Sequence, residues 1–202
     1  MAGSGSRFTN AGYTVPKPLL DLDGKSMFQR VFENLYSRDV ERVIFIRNNL
    51  TTFNLKELQE IYPQVEILEK TIDYLTDGPA RTVSLVEKMV DPERPLLIAN
   101  SDQLVAYSIP SDYSLLDMGY DGIVWCMEDE DPKWSYVEIE NESLITRIVE
   151  KEVISNLATV GIYAFGKSKD FFEAFNTMVL KQGRGEGSGR QKRLWRKVDE
   201  YL

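Results

Sequence analysis

Between Ser26 and Asp102 the apolar residues keep switching between helical and strand spacing, and that alternation narrows the folds open to this chain more than any other feature. In SMFQRVFENLY, Met27, Val31 and Leu35 share one helical face with Phe28 and Phe32 beside them, and Ser26 with Gln29 matches a capping box. RVIFI (Arg42 to Ile46) follows as a β-branched strand, LKELQEIY as a helix and VEIL as a second strand. Asp77-Gly78-Pro79 then supplies a helix start for ARTVSLVEKMV, with proline suited to the first turn. PLLIANSD runs apolar and ends abruptly in polar residues, the pattern expected of a buried parallel strand. Strand and helix in alternation predict an α/β sheet with right-handed crossovers.

From Asp121 the texture changes. GIVWCM, YVEIE, SLITRIVEK and TVGIYAF are strand-like pieces joined by short polar turns, so the second half is expected to add antiparallel or mixed strands. The helix DFFEAFNTMVL comes next. After it, KQGRGEGSGRQKRLWRKVDEYL is glycine-rich and then basic, which divides the chain into a domain over 1–182 and a tail over 183–202.

Composition excludes several classes. At 202 residues, with 43% hydrophobic and 28% charged residues, the chain can bury one substantial core. Its longest apolar runs, Pro95 to Ala99 and Val160 to Phe165, fall far short of the roughly 18 residues that cross a bilayer. No basic flank and apolar stretch mark a secretory signal, and the single Cys126 has no intrachain partner, so a cytoplasmic location is expected. The sequons Asn49-Leu50-Thr51 and Asn141-Glu142-Ser143 are then expected to stay unmodified. A net charge of −8 argues against broad nucleic-acid binding, yet a few convergent donors can still hold a small anion.

Three stretches carry chemistry. Gly3-Ser4-Gly5-Ser6 is not a dinucleotide fingerprint, because Phe8 stands where the third glycine belongs, and Gly24-Lys25-Ser26 is not a P-loop, because Leu19 replaces its first glycine. The glycine stretch fits a phosphate cradle or a plain Gly/Ser-rich terminus. Arg7 and the proline-framed Lys17 of Pro16-Lys17-Pro18 favour the cradle, since an arginine and a rigidly placed lysine can converge on a polyphosphate. Asn100-Ser101-Asp102-Gln103 ends an apolar strand, where open α/β sheets bind ligands, and Asp102 there suits Mg²⁺ or the cap of a turn. Lys151, after Glu150 at the end of a strand-like run, suits a second phosphate or a surface ion pair.

MAGSGSRF, GYTVPKPLLDLDGK, TDGPARTV, LIANSDQ, VEKE and ATVGIYAF occur in the same order as the motifs of the sugar-phosphate nucleotidyltransferases, and over about residues 1 to 180 the chain resembles that family. The family includes glucose-1-phosphate thymidylyltransferases and the small cytidylyltransferases of capsule and lipopolysaccharide pathways. The resemblance implies a three-layer α/β/α sandwich with a mixed, mostly parallel sheet, Rossmann-like and of the nucleotide-diphospho-sugar transferase kind. It further implies transfer of a nucleotidyl group from CTP, dTTP or UTP to a phosphorylated sugar or small phospho-compound, with Mg²⁺ as cofactor and pyrophosphate released. By resemblance, Gly3, Ser4, Gly5 and Ser6 wrap the nucleotide phosphates, Arg7 neutralises the departing phosphates and Lys17 grips the α-phosphate. Asp77, Gly78, Pro79 and Ala80 lie near the base and sugar, Asp102 is the metal ligand, Lys151 holds the acceptor phosphate, and Gly161 and Tyr163 belong to a strand lining the acceptor pocket. No histidine is present, and none is required, because an ionised acceptor phosphate is its own nucleophile.

The sequence departs from the family's pattern at both ends. The glycine loop starts at Met1 with no apolar strand before it, so the first strand is expected to be missing, and the tail leaves the second metal ligand unassigned, with Glu186 as a stand-in. A truncated or non-catalytic relative that binds nucleotide or a partner protein is the alternative reading. Homo-oligomers fit the family, although no heptad or apolar stripe in this sequence calls for one.

Overall fold

The computed structural model describes Gly12 and residues 14–49, 51–106, 108–117, 119–141 and 144–183. These pack as two compact units: one takes in the chain up to Val86 together with Asn100–Tyr113, the other Glu87–Ala99 together with the chain from Ser114 onward.

The first unit is built on a parallel pair. β1 (Arg42–Asn48) runs alongside β2 (Glu66–Ile72), in register from Arg42 opposite Glu66 to Asn48 opposite Ile72. Parallel neighbours need a crossover, and α2 (Leu55–Ile61) supplies it. Ahead of the pair comes α1 (Met27–Leu35), whose Ser26 backbone N–H donates to Gln29 Oε1 at 2.9 Å, one half of the expected capping box. The spacing of Phe28, Val31, Phe32 and Leu35 turns all four inward. Phe28, Phe32, Phe45, Phe53 and Leu58 form a buried cluster with Tyr36, Tyr62 and Ile67 packed against it. Phe28 meets Phe45 at 5.7 Å and 85°, and Phe32 meets Tyr62 at 4.8 Å and 84°, the edge-to-face geometry that suits aromatic quadrupoles.

The expected helix after Asp77 is shorter than the sequence suggests. α3 spans Pro79–Ser84 and gives way to a 3₁₀ turn at Glu87–Met89. Thr82 and Val83 crowd the helix interior, and Ser84 Oγ donates back to the Arg81 carbonyl at 2.9 Å, which competes with continuing the helix.

The second unit is organised by its last strand. β7 (Leu157–Phe165) pairs antiparallel with β3 (Leu96–Ala99), with β4 (Gly122–Glu128) and, at Tyr136 opposite Ala158, with β5 (Ser135–Glu140). β6 (Leu144–Glu150) completes the sheet as a hairpin partner of β5. A strand has two edges, and β4 runs along one of them, so β3 and β5 share the other. The antiparallel second half is as expected. The parallel setting expected of Pro95–Ala99 is not: β3 is antiparallel to β7, and Leu96, Leu97 and Ile98 are only half-buried and Ala99 exposed, rather than covered on both faces. Parallel pairing among the described residues is therefore confined to the two-stranded β1–β2 sheet, and the five-stranded sheet of the second unit is antiparallel throughout, where the resemblance implied one mixed, mostly parallel sheet.

The short α4 (Ser114–Asp117) precedes β4, and α5 (Ser168–Gly183) follows β7 and buries Phe171, Phe172 and Phe175, with Phe165 and Phe171 at 5.4 Å. Its start is tied down by Ser168, whose Oγ donates to the Asp91 carbonyl at 2.6 Å and whose N–H donates to the Arg94 carbonyl at 2.8 Å. Lys169 and Lys167 both bind the Glu93 carboxylate, and the Lys169 hydrogen bond foremost holds that carboxyl below its ordinary pKa. No helix among the described residues is long and apolar enough to cross a membrane.

The aromatic cluster sets a test of the first unit. Phe32→Ala is expected to lose about 3–5 kcal/mol by opening a cavity where edge-to-face contacts stood. Urea unfolding should show a lower midpoint at unchanged slope.

Candidate functional site

Two of the residues singled out from the sequence meet. Lys17 Nζ donates to Asp102 Oδ2 at 2.6 Å across 85 residues of chain, both side chains partly open to solvent at 29% and 36%. Lys17, flanked by Pro16 and Pro18, begins a 3₁₀ turn (Lys17–Leu19), with the Leu19 N–H donating to the Pro16 carbonyl at 2.8 Å. Proline's fixed φ at both flanks limits where the lysine stem can start. Beyond it the chain folds back on itself, Leu22 N–H to Lys25 O at 2.7 Å and Met27 N–H to Leu20 O at 2.8 Å, through left-handed Asp23 and Gly24 at φ 57° and 76°. Arg30 on α1 fastens that turn by donating to the carbonyls of Leu22 at 2.9 Å and Asp23 at 2.7 Å.

Asp102 lies just past the end of β3 and is held from α1. The Asn34 side-chain amide mimics a strand: its Nδ2 donates to the Val105 carbonyl at 2.9 Å, and its Oδ1 accepts the Val105 N–H at 3.0 Å. Tyr113 OH donates to the Leu35 carbonyl at 2.7 Å, so the Asn100–Tyr113 segment is anchored on α1 at two points. Asn100 Nδ2 and Gln103 Oε1 bridge the turn around Asp102 at 2.9 Å.

The Asp77-Gly78-Pro79-Ala80 turn belongs to the same unit. Gly78 sits at φ 92° and ψ 167°, a region essentially reserved for glycine, and Pro79 opens α3 behind it. Thr82 clasps the turn, its N–H and its hydroxyl each donating to the Gly78 carbonyl at 3.2 Å, and Thr76 Oγ1 hydrogen bonds to Thr82 Oγ1. Asp77 and Pro79 are exposed and Ala80 is half-buried.

Lys151, Gly161 and Tyr163 fall in the second unit. Lys151 takes a left-handed conformation, φ 55°, directly after β6, a strained setting for a lysine. Its N–H donates to the Trp134 carbonyl at 2.9 Å, and its exposed ammonium lies 3.2 Å from Glu150 Oε1. The connection that receives it is braced by its own side chains: Trp134 Nε1 donates to Asp129 Oδ2 at 3.0 Å, the Asp131 N–H donates to Asp129 Oδ1 at 2.7 Å, and the Lys133 N–H donates to Asp131 Oδ1 at 3.0 Å. Gly161 is buried at φ 74° inside a bulge, where the pairing steps from Val124 opposite Tyr163 to Cys126 opposite Thr159. The bulge brings Thr159 Oγ1 within 3.0 Å of Tyr163 OH, residues that a regular strand would hold well apart. Burial first, and the neighbouring Glu150 charge last, raise the Tyr163 pKa, so the phenol stays neutral. Burial also pushes the Cys126 thiol up to about 11, which makes it a poor nucleophile.

Gly3, Ser4, Gly5, Ser6 and Arg7, like Glu186 in the tail, lie outside the described residues. The supporting residues Asn34, Thr76, Thr82, Asp129 and Trp134 escaped the sequence reading. Only the last pair had a visible signal, since DEDPKW concentrates the residues that build Asx turns.

The site suits a divalent cation. Magnesium takes one or two carboxylates and completes its shell with phosphate and water, so a lone accessible carboxylate is enough for a metal that arrives with its nucleotide. Asp102 is such a group, and the Lys17 ammonium on its Oδ2 marks that oxygen as a place for positive charge. The described residues contain no cluster of three or more acidic, His or Cys side chains that would form a self-sufficient metal cage.

The profile of the nucleotidyl transferase family matches residues 1–197. The chain belongs to that family. The chain is 25% identical over 194 residues to a mannose-1-phosphate guanyltransferase of Debaryomyces hansenii, the match covering 90% of this chain and 53% of the relative. It thus spans about half the length of the curated relatives it matches. Its fold is similar to that of a nucleoside-diphosphate-sugar pyrophosphorylase from Vibrio cholerae RC9, with TM-score 0.78 and 23% identity over 98% of this chain and 85% of the other. It is also similar to a UDP-glucose pyrophosphorylase complexed with UDP-glucose, with TM-score 0.76 and 19% identity over 100% and 85%. The α/β fold expected from the sequence is that of these neighbours.

Asn34→Ala is expected to strip both Val105 backbone groups of their partner and to cost about 1–3 kcal/mol. Hydrogen exchange should speed up at Val105 and its neighbours while the amides of β4 and β7 stay protected.

Proposed function

We propose that this chain moves a nucleotidyl group from a nucleoside triphosphate to a phosphorylated sugar or similar small phospho-compound and releases pyrophosphate. The observation that carries the reading is the meeting of Lys17 with Asp102, a cation and an acid chosen independently from distant parts of the sequence. Phosphoryl chemistry of this kind asks the protein to position two anions and disperse charge rather than to provide a nucleophile. An acceptor phosphate oxygen attacks the α-phosphorus in line, a P–O bond forms as the bond to the bridging oxygen breaks, and the electron pair leaves with pyrophosphate. No proton transfer is required.

Each candidate residue has a place in that scheme. Lys17 steadies the α-phosphate, Arg7 the departing phosphates, and the amides of Gly3, Ser4, Gly5 and Ser6 the polyphosphate chain. Asp102 would hold Mg²⁺, which supplies charge neutralisation on the phosphates. The Asp77-Gly78-Pro79-Ala80 turn, pinned by Thr82, offers close backbone approach to the nucleoside. Lys151, held by Trp134, meets the acceptor phosphate, and the β7 segment around Gly161 and Tyr163 lines the acceptor pocket. The donor is a pyrimidine triphosphate and the product a nucleotide sugar used in cytoplasmic synthesis of a surface-polysaccharide precursor. A guanine donor, which the name of the Debaryomyces hansenii relative carries, is the competing choice of base.

The test is the melting temperature of the full chain with Mg²⁺ and each of CTP, UTP, dTTP, GTP and ATP. A ligand that binds only the folded state at about a hundred times its Kd adds roughly 2.7 kcal/mol. One nucleotide should raise Tm selectively and so name the base, whereas a cooperative melt that none of them moves would favour a non-catalytic relative. With the right donor and acceptor, Asp102→Asn is expected to abolish Mg²⁺-dependent pyrophosphate release without changing the melt. Lys17→Ala should lower kcat far more than it raises the acceptor KM. The reverse pattern would place Lys17 at the acceptor.

A further inference from the structure

We propose that Asp129 is a positioning residue for the acceptor phosphate: by way of Trp134 it holds Lys151 in the left-handed conformation that sets the lysine's ammonium beside Glu150. This rests on the reading that Lys151 meets that phosphate.

A left-handed backbone is costly for any residue with a Cβ, so at Lys151, φ 55°, the surroundings must hold it there. β5 and β6 pair as far as Ser135 opposite Glu150, and one step further on the Lys151 N–H donates to the Trp134 carbonyl at 2.9 Å. At the far end of the connection the Asp129 N–H donates to the Asn156 carbonyl at 3.1 Å. Residues 151–156 are thus gripped at both ends by one turn, 129–134, and Ser155 Oγ adds a third point by donating to the Val137 carbonyl at 2.5 Å. That turn owes its shape to Asp129. One carboxylate oxygen takes the Asp131 N–H at 2.7 Å and the other the Trp134 indole N–H at 3.0 Å, while the Asp131 carbonyl accepts the Trp134 N–H at 3.2 Å and the Tyr136 hydroxyl at 2.8 Å. Trp134 is therefore fixed by ring and backbone together, and its carbonyl with it. The backbone hydrogen bond from Asp131 foremost keeps the Asp129 carboxyl below its ordinary pKa, so the carboxylate stays ionised near neutral pH. The direction of the ammonium follows from the backbone. If β6 ran on through residue 151, the side chains of Glu150 and Lys151 would point to opposite faces. Past the left-handed turn their charged ends instead lie 3.2 Å apart. Glu150 in turn is near enough to Tyr163 for its charge to add, behind burial, to the rise of that phenol's pKa, so the turn sends Lys151 toward the strand assigned to the acceptor.

Two measurements on the full-length chain test this. Lys151→Gly and Lys151→Ala delete the same ammonium, but only glycine takes the left-handed backbone without strain, so the glycine variant should melt at the higher Tm. In an Asp129→Ala background the connection is released, and that gap in Tm should shrink or vanish. An equal gap in both backgrounds overturns the proposal. The second measurement follows pyrophosphate release with the nucleotide that raises Tm and with glucose 1-phosphate and mannose 1-phosphate as acceptors. Asp129→Asn is expected to raise the acceptor KM about tenfold, to leave the nucleotide KM unchanged, and to add nothing further in a Lys151→Ala background. A brace that served stability alone would lower the active fraction, and so kcat, without moving either KM. Should Asp129→Asn fail to melt cooperatively, Trp134→Phe, which keeps an aromatic ring and loses the indole N–H, is expected to show the same split between the two KM values. If Lys151→Ala raises the acceptor KM and neither brace variant does, the positioning role falls and the reading of Lys151 stands. If Lys151→Ala leaves the acceptor KM alone, or neither acceptor is turned over by the wild type, the reading of Lys151 falls and takes the positioning role with it.

Discussion

β7 is the constraint on which the second unit depends. Nearly all of its residues are buried, β4 takes one of its edges, and β3 and β5 divide the other. Such a strand has little freedom of register, because a slip of one residue would exchange the side chains packed on its two covered faces and misalign its pairing with three neighbours at once. Regular pairing of β7 with β4 yields at the bulge at Gly161, and there the left-handed backbone is available to glycine at no steric cost. The bulge also sets Tyr163 against Thr159, so the irregularity shapes a polar spot inside an otherwise apolar strand.

In the first unit the same division of labour takes another form. The aromatic cluster around Phe28, Phe32 and Phe45 fixes α1 against the parallel pair, and α1 then serves as a frame for chemistry-bearing loops. Its polar side chains do the fastening: Arg30 holds the turn after Lys17, and Asn34 holds the segment after Asp102. Lys17 and Asp102 are therefore placed by hydrogen bonds from one helix, which places them more closely than two unrelated surface loops could be placed.

Much of this was legible in the residues, and the remainder was hidden for physical reasons. Ser26 with Gln29 and Asp77-Gly78-Pro79 are local signals, read within a few residues of the structure they set, and both appear where expected. The helix after Pro79 was overestimated because apolar spacing outlasts the helix, while Thr82, Val83 and Ser84 end it. The orientation of β3 could not be read from its composition, since an apolar run tells how deeply a strand is buried and not which neighbour it chooses. Lys17 and Asp102 could each be nominated, but their contact spans 85 residues and only the fold could supply it. The left-handed backbone of Lys151 has no sequence signature, because it is imposed by the Trp134 carbonyl rather than preferred by lysine.

The first unit is not continuous in sequence: the chain leaves it after Val86, contributes β3 to the other unit and returns at Asn100. Among the described residues β3 pairs only with β7, which lies far downstream. During synthesis on the ribosome, Leu96–Ala99 therefore emerges long before its partner exists. The excursion that delivers Asp102 to α1 stays unanchored on its β3 side until β7 has left the exit tunnel. Folding of the amino-terminal half is thus completed by a strand from the carboxy-terminal half, and a nascent chain halted before Leu157 carries an unpaired apolar strand into the reach of chaperones.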